Sequence, residues 1–232
     1  MTRFREVSDE LRREQEGLKE SQHRTKLWNG LELQYHIPNR AQTLALDLKE
    51  SVPADFASRP LEVEIGPGKG EFLARRAARF PERFFIGIDR RLDRVRLTEG
   101  KLERQGQGHD RNWIILREDA CSFAPEKLPA IDVLHLYQPD PWPKFRHHKH
   151  RFFRSPEARA FAHAVKKGGE FRLSTDHLGY YMEMLDLIKT WNAFDLVTAY
   201  EKNWTMSPAL THFEAYFMRQ KQTVFKAIFR RR

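Results

Sequence analysis

The stretch LEVEIGPGKGEFL, residues 61–73, decides the fold: an apolar run breaks into glycines at 66, 68 and 70 and resumes at helical spacing. A short run bounded in this way predicts a buried strand, and the glycines let the backbone turn sharply and offer its amides to a ligand. The same alternation repeats outward from this point. Apolar runs at 84–88, 113–117, 131–137 and 170–175 predict further strands, separated by helices over 71–80, 90–104, 155–167 and 178–192. The helix at 155–167 has Ser155 as its N-cap, Pro156 in its first turn and Gly168–Gly169 as its predicted stop. Runs at 195–200 and 223–229 add two strands. The pattern predicts an α/β fold: a Rossmann-like, mostly parallel seven-stranded sheet with helices on both faces.

The 232 residues are 40% hydrophobic and include 17 Phe and 5 Trp, enough for a substantial core, which excludes collagen-like, low-complexity and disordered chains. No apolar run reaches the ~18 residues of a membrane helix. The start, MTRFREVSDELRREQ, lacks the apolar centre of a secretory signal, and Cys121, the single cysteine, closes no intrachain disulfide. A cytoplasmic protein without a membrane partner is predicted. Residues 1–26 mix seven basic with six acidic residues and place apolar side chains at 4, 7, 11 and 18. Residues 1–50 therefore read as an N-terminal helical arm, and 51–232 as the main domain, entered through the loop SVPADFASRP at 51–60.

In such folds a ligand sits at the carboxyl ends of the strands. There the sequence offers Glu64, Asp89, Asp119, Asp140 and Asp176, an acid at the end of five successive strands. The third glycine comes one position too early for the dinucleotide fingerprint, and no phosphate-loop pattern is present. Glu64 would repel a pyrophosphate and attract a cationic amino acid. Asp89, nineteen residues beyond Gly70, can accept from both hydroxyls of a ribose. A ribose and a cation without phosphate point to S-adenosylmethionine, with Asp119–Ala120 placed to reach an adenine.

Residues 139–153 read PDPWPKFRHHKHRFF. Three prolines fix a rigid turn that holds Asp140, with Trp142 beside it as a platform for a base. His147, His148 and His150 lack the spacing of a tetrahedral metal set, so no metal is predicted. Positive charge concentrates in two blocks: residues 144–154 hold five Lys/Arg and residues 219–232 hold six, with no acid in either. The rest of the chain carries 30 basic residues against all 32 acids. Both blocks are therefore expected to dock a polyanion such as nucleic acid.

With the glycine loop 64–70, PDPWPKFRHHKHR, Thr175–Asp176 and Thr211-x-Phe213-Glu214, the chain closely resembles bacterial tRNA (guanine-N7)-methyltransferases over roughly residues 61–229. The resemblance implies a class I methyltransferase that uses S-adenosylmethionine to methylate the variable-loop guanine of tRNA, as a monomer or homodimer. It implies that Glu64, Gly66, Gly68, Asp89, Asp119 and Ala120 bind the cofactor and that Asp140 is the catalytic carboxylate. It makes Lys144, Asp176, Thr211, His212, Phe213 and Glu214 contacts to the RNA substrate. The chain departs from the pattern at Asp89, more often Glu, at Gln138, where an aromatic is usual, and at His150, where Arg is common. Thr211-x-x-Glu214 also fits a helix capping box. Two other readings are an exocyclic-amine methyltransferase, whose site carries two consecutive prolines that Asp140-Pro141-Trp142-Pro143 lacks, and an inactive RNA-binding protein of the same fold.

Overall fold

Each apolar run becomes a strand close to where the pattern puts it. In the computed structural model, which describes residues 55–105, 111–200, 211, 213, 216, 220 and 222–232, β1 is Leu61–Ile65, β2 Phe84–Ile88, β3 Trp113–Leu116 and β4 Ile131–Tyr137. β5 is Val165–Thr175, β6 Phe194–Tyr200 and β7 Phe225–Arg231. The predicted arm at 1–50 lies outside the described residues. The strands form one sheet in the order β3-β2-β1-β4-β5-β7-β6. β7 runs antiparallel to both β5 and β6, and the other pairings are parallel. The order turns back between β1 and β4, which places a cleft at their carboxyl ends.

Four helices, α1 (Glu71–Arg79), α2 (Leu92–Gln105), α3 (Pro156–Ala164) and α4 (Leu178–Thr190), connect the strands. Ser155 caps α3 as expected, its side chain accepting from the Ala158 amide at 3.3 Å. The Gly168–Gly169 stop is corrected: α3 ends at Ala164, and the glycines lie inside β5. Val165 pairs with Ile131 and Glu170 with Val133, so the residues between bulge out of the ladder. Gly168 takes φ +76°, and a Cβ at Gly169 would come within 2.9 Å of two backbone carbonyls. The glycines serve a strand irregularity rather than a helix end.

Both faces of the sheet are covered. Leu73, Ala74 and Ala77 of α1 and Val95 and Leu102 of α2 pack on Phe85, Trp113 and Ile115. On the opposite face Phe153 stacks between Phe171 of β5 and Trp191 at the end of α4, with ring centroids 5.8 and 5.5 Å away. Truncating such a ring to Ala costs about 3–5 kcal/mol. This packing holds the strand ends, and the loops leaving them, in fixed positions.

Beneath the cleft the core is polar. Glu62 and Glu64 share one face of β1 because strand side chains alternate. Glu62 accepts from Arg76 and from Arg83, at 2.8 and 2.9 Å. Burial pulls His135 down to about 4, so the ring is neutral, with Nε2–H donating to Glu62 and Nδ1 accepting from the Tyr137 hydroxyl, both at 2.9 Å. Burial opposes the charge of Glu62, but the hydrogen bonds from His135 and Arg76 outweigh it and hold the carboxyl well below its ordinary value. The alternation in LEVEI and IDVLHLY was the available signal for this network, since central parallel strands are usually apolar on both faces.

Candidate active site

The glycine loop follows β1 and is tied to β2. Gly66 donates to the Ile88 carbonyl at 2.8 Å, and Gly70 to Pro67 at 2.9 Å. Gly66, Gly68 and Gly70 all lie in the left-handed region, φ +68°, +60° and +72°. A Cβ at Gly70 would sit 2.7 Å from Thr98 of α2, so that glycine lets the loop and helix touch. A Cβ at Gly66 would meet nothing within 4 Å, leaving that stretch of backbone open to a ligand.

Glu64 stands under this opening, 2% exposed, and its Oε2 has no hydrogen-bond partner. Burial, reinforced by the charge of Asp89, pushes its carboxyl up to about 8. Asp89 is itself raised by burial, against hydrogen bonds from the Arg91 and Gly68 amides. The Arg91 amide donates to its Oδ1 at 2.9 Å. A third acid joins this side. Asp89 N donates to Leu116 O and Glu118 N to Asp89 O, zipping the ends of β2 and β3 together, while Asp119 accepts from the Cys121 amide at 2.9 Å. Ala120 is half-buried beside it. An orphaned buried carboxyl group beside an open glycine cradle suits a cationic ligand, whose charge would favour its ionised form, and the two further acids suit hydroxyls and an amino group.

The other side of the cleft is built by Gln138. Its amide donates to the Ser174 carbonyl at 2.8 Å, and its Oε1 accepts from the Asp176 amide at 3.0 Å. One residue thus clamps the end of β4 to that of β5 and brings together the segments bearing Asp140 and Asp176. Gln138 (φ +52°) and Trp142 (φ +43°) are both left-handed, a strain of order 1–3 kcal/mol per residue that concentrates at functional loops. Asp140 is exposed, and its charge reaches both Arg91, on the Asp89 side, and Tyr180 of α4. The acids predicted at separate strand ends therefore lie along one edge of the sheet, at the ends of β1 to β5.

The basic run forms a 3-10 turn, Phe145–His150, in which residues three apart share a face. His147 and His150 point to Trp142, with ring centroids 5.8 and 5.3 Å from it. Arg146 and Lys149 form a second, exposed row, and Phe145 and His148 a third, their rings 5.3 Å apart. Lys144 is exposed at the start of the turn. Arg151 is a correction to the basic docking surface. It is 3% exposed, donates to the Pro141 carbonyl at 2.7 Å, pairs with Glu183 and lies 4.7 Å over the Tyr180 ring. Its work is to pin the loop, as a guanidinium can when it satisfies several partners at once.

The described cations of the C-terminal block, Lys226 and Arg230 to Arg232, are a second correction; Arg219 and Lys221 lie outside the described residues. Lys226 is buried in β7, Arg230 pairs with Glu170 at 3.3 Å, Arg231 donates to the carbonyls of His163 and Val165, and Arg232 pairs with Asp195 at 2.9 Å. Because β7 is antiparallel, Arg230 lies opposite Glu170 and Phe225 opposite Thr175, so the arginines sit at the edge of the sheet away from the cleft. Thr211 is buried and Phe213 exposed, whereas His212 and Glu214 lie outside the described residues. Sequence reading missed Gln138, Arg151, Glu183 and Tyr180 as parts of the site.

Comparison with known proteins agrees with this architecture. The family model described as "Putative methyltransferase" matches residues 58–227. A tRNA (guanine-N7)-methyltransferase of Paracoccus denitrificans is 34% identical over 176 residues, 75% of this chain and 73% of that one. One from Neisseria meningitidis serogroup B is 32% identical over 190 residues, 78% of each chain. The chain belongs to the tRNA (guanine-N7)-methyltransferase family. A Zymomonas mobilis member of that family is 45% identical over 121 residues, but these span only 51% of each chain. Among solved structures, an antibiotic-related methyltransferase (TM-score 0.58, 16% identity, 87% of this chain and 97% of that one) and a 16S rRNA methyltransferase (TM-score 0.58, 13% identity, 88% and 98%) share the fold. The sheet order and the cleft between β1 and β4 are thus those of a methyltransferase fold. Among the described residues no group of His, Cys, Asp and Glu is arranged to hold a metal, and no helix is long and apolar enough to cross a membrane.

Proposed function

We propose that this protein transfers the methyl group of S-adenosylmethionine to N7 of the variable-loop guanine of tRNA, in the cytoplasm. The observation that carries the reading is Glu64: a buried carboxyl group with an unpartnered oxygen, at the end of the strand that leads into the uncrowded Gly66 and on the same edge of the sheet as Asp140. Bound there, the cofactor supplies an electrophilic methyl group. Glu64 would attract its cationic amine, Gly66 and Gly68 would admit its backbone-sized edge, Asp89 would hold the ribose hydroxyls, and Asp119–Ala120 would meet the adenine. Lys144, Asp176 and the Thr211–Glu214 segment (residues 211–214) would contact RNA.

Guanine N7 is a lone-pair acceptor with no proton to lose at neutral pH, so the chain needs no general base. Its residues instead position the base in line with the methyl group and stabilise the charge that moves from sulfur to the guanine ring. Asp140 can do both. Its carboxylate can accept from guanine N1–H and the neighbouring C2 amine, a pair of donors that adenine does not present, and its negative charge would favour the cationic product. A guanine that leaves its stack to enter the site would approach past the exposed turn next to Asp140.

The test is radiolabelled methyl transfer to unfractionated tRNA followed by nucleoside analysis. Label in N7-methylguanosine is expected. Label on an exocyclic amine would make the exocyclic-amine reading correct, and RNA binding without transfer would make the chain an inactive binding protein.

A further inference from the structure

We propose that Phe145 is a stacking platform for an unpaired base of the RNA substrate, next to the nucleotide presented to Asp140; this rests on the reading of the protein as a tRNA methyltransferase. Phe145 is 86% exposed, the most exposed of the large hydrophobic residues among those described. A solvated ring wastes apolar surface, and this one is not on a loose loop. The turn that bears it is held in front by Trp142 against His147 and His150, and behind by Arg151 on Pro141, Glu183 and Tyr180. His147 N donates to Lys144 O at 2.8 Å and Arg151 N to His148 O at 3.0 Å, closing the turn at both ends. A ring fixed in this way loses little entropy when a base stacks on it.

Its neighbours select the partner. The period of three sets the Arg146–Lys149 row beside the Phe145–His148 row, with Lys144 at the start of the turn. Cations flanking an exposed aromatic ring match a nucleic-acid strand, whose phosphates alternate with bases, better than they match an apolar protein surface. His148 meets Phe145 edge-on, at 60° between ring planes, which braces the ring without stacking on its face.

The experiment compares the wild type with Phe145→Ala, Phe145→Leu and Phe145→Trp. Affinity is measured by filter binding to an unmodified tRNA transcript over a range of salt, and to a fully paired RNA duplex; methyl transfer and S-adenosylmethionine binding are measured alongside. Ala and Leu should each weaken tRNA binding and raise KM at least about fivefold, the lower limit of base–aromatic stacking, while Trp keeps wild-type affinity. The salt slope, kcat, duplex affinity and cofactor affinity should not move. Unchanged tRNA binding by Phe145→Ala overturns the inference. So does wild-type affinity in Phe145→Leu, which would mean apolar packing without stacking, or an equal loss on the duplex. If the wild type forms no N7-methylguanosine, the proposed function fails, yet the binding comparison still decides the role of Phe145.

Discussion

Residues 144–154 and 219–232 are alike in composition, with five and six Lys/Arg and no acid, yet the arginines that end the second, Arg230 to Arg232, lie at the opposite edge of the sheet from the first. The first follows the carboxyl end of β4, beside Asp140. The second is largely β7, whose antiparallel course carries Arg230, Arg231 and Arg232 to the amino edge of the parallel strands, onto carboxylates and carbonyls of the protein itself. A charge run in a sequence reports how many cations there are. Strand direction decides whether they face a ligand.

Removing the exposed charges Lys144, Arg146 and Lys149 together gives the largest contrast. The slope of log K against log salt for tRNA should fall by about 2–3, at about 0.7–0.9 for each phosphate that is no longer neutralised. The paired change Arg230→Gln with Arg232→Gln should leave the slope where it was; a fall there would place RNA on the amino edge and break the comparison. Within the first segment, Arg151 should behave as structure. Arg151→Met takes from Glu183 its buried cation, leaving it only the exposed Arg154, and should cost about 1–3 kcal/mol in urea unfolding. The Arg230 and Arg232 changes, at more exposed pairs, should cost no more than about 1 kcal/mol.

A further contrast lies in pH. Glu64 rises from 4.5 to about 8 on folding, so the folded chain holds the extra proton between those values, and its stability falls as pH climbs through them. Burial lowers Lys226, in the second segment, from 10.5 to about 8, so there the unfolded chain holds the extra proton and stability rises from about 8 to 10.5. Unfolding midpoints should therefore dip near pH 8. Glu64→Gln should remove the acid-side fall, and Lys226→Met the alkaline-side rise. A dip that persists in both variants would assign it to other groups.

The sequence was readable where a residue's role follows from its own segment. β1, β2 and β4 follow from apolar runs, the α3 cap from Ser155, and the acidic rim from the position of Glu64, Asp89, Asp119, Asp140 and Asp176 at or just beyond strand ends. It was unreadable where the role depends on a distant partner. Arg151 looks like Lys149 in the chain but meets Glu183, 32 positions away, and Gln138 looks like a loop residue but clamps Asp176, 38 positions away. Gly168–Gly169 reads as a helix stop until the pairing of β4 with β5 shows a bulge.

On the proposed function Asp140 acts on guanine, while the cofactor and the RNA backbone are held elsewhere. Asp140→Asn keeps the side chain's size and one acceptor but removes the charge and adds donors facing those of guanine. Single-turnover methyl transfer at saturating S-adenosylmethionine and tRNA, with separate titrations of each ligand, measures this directly. The rate should fall at least ~100-fold, about 2.7 kcal/mol of transition-state stabilisation, with both affinities nearly unchanged. Near-normal turnover, or a folded variant that loses S-adenosylmethionine, would contradict it.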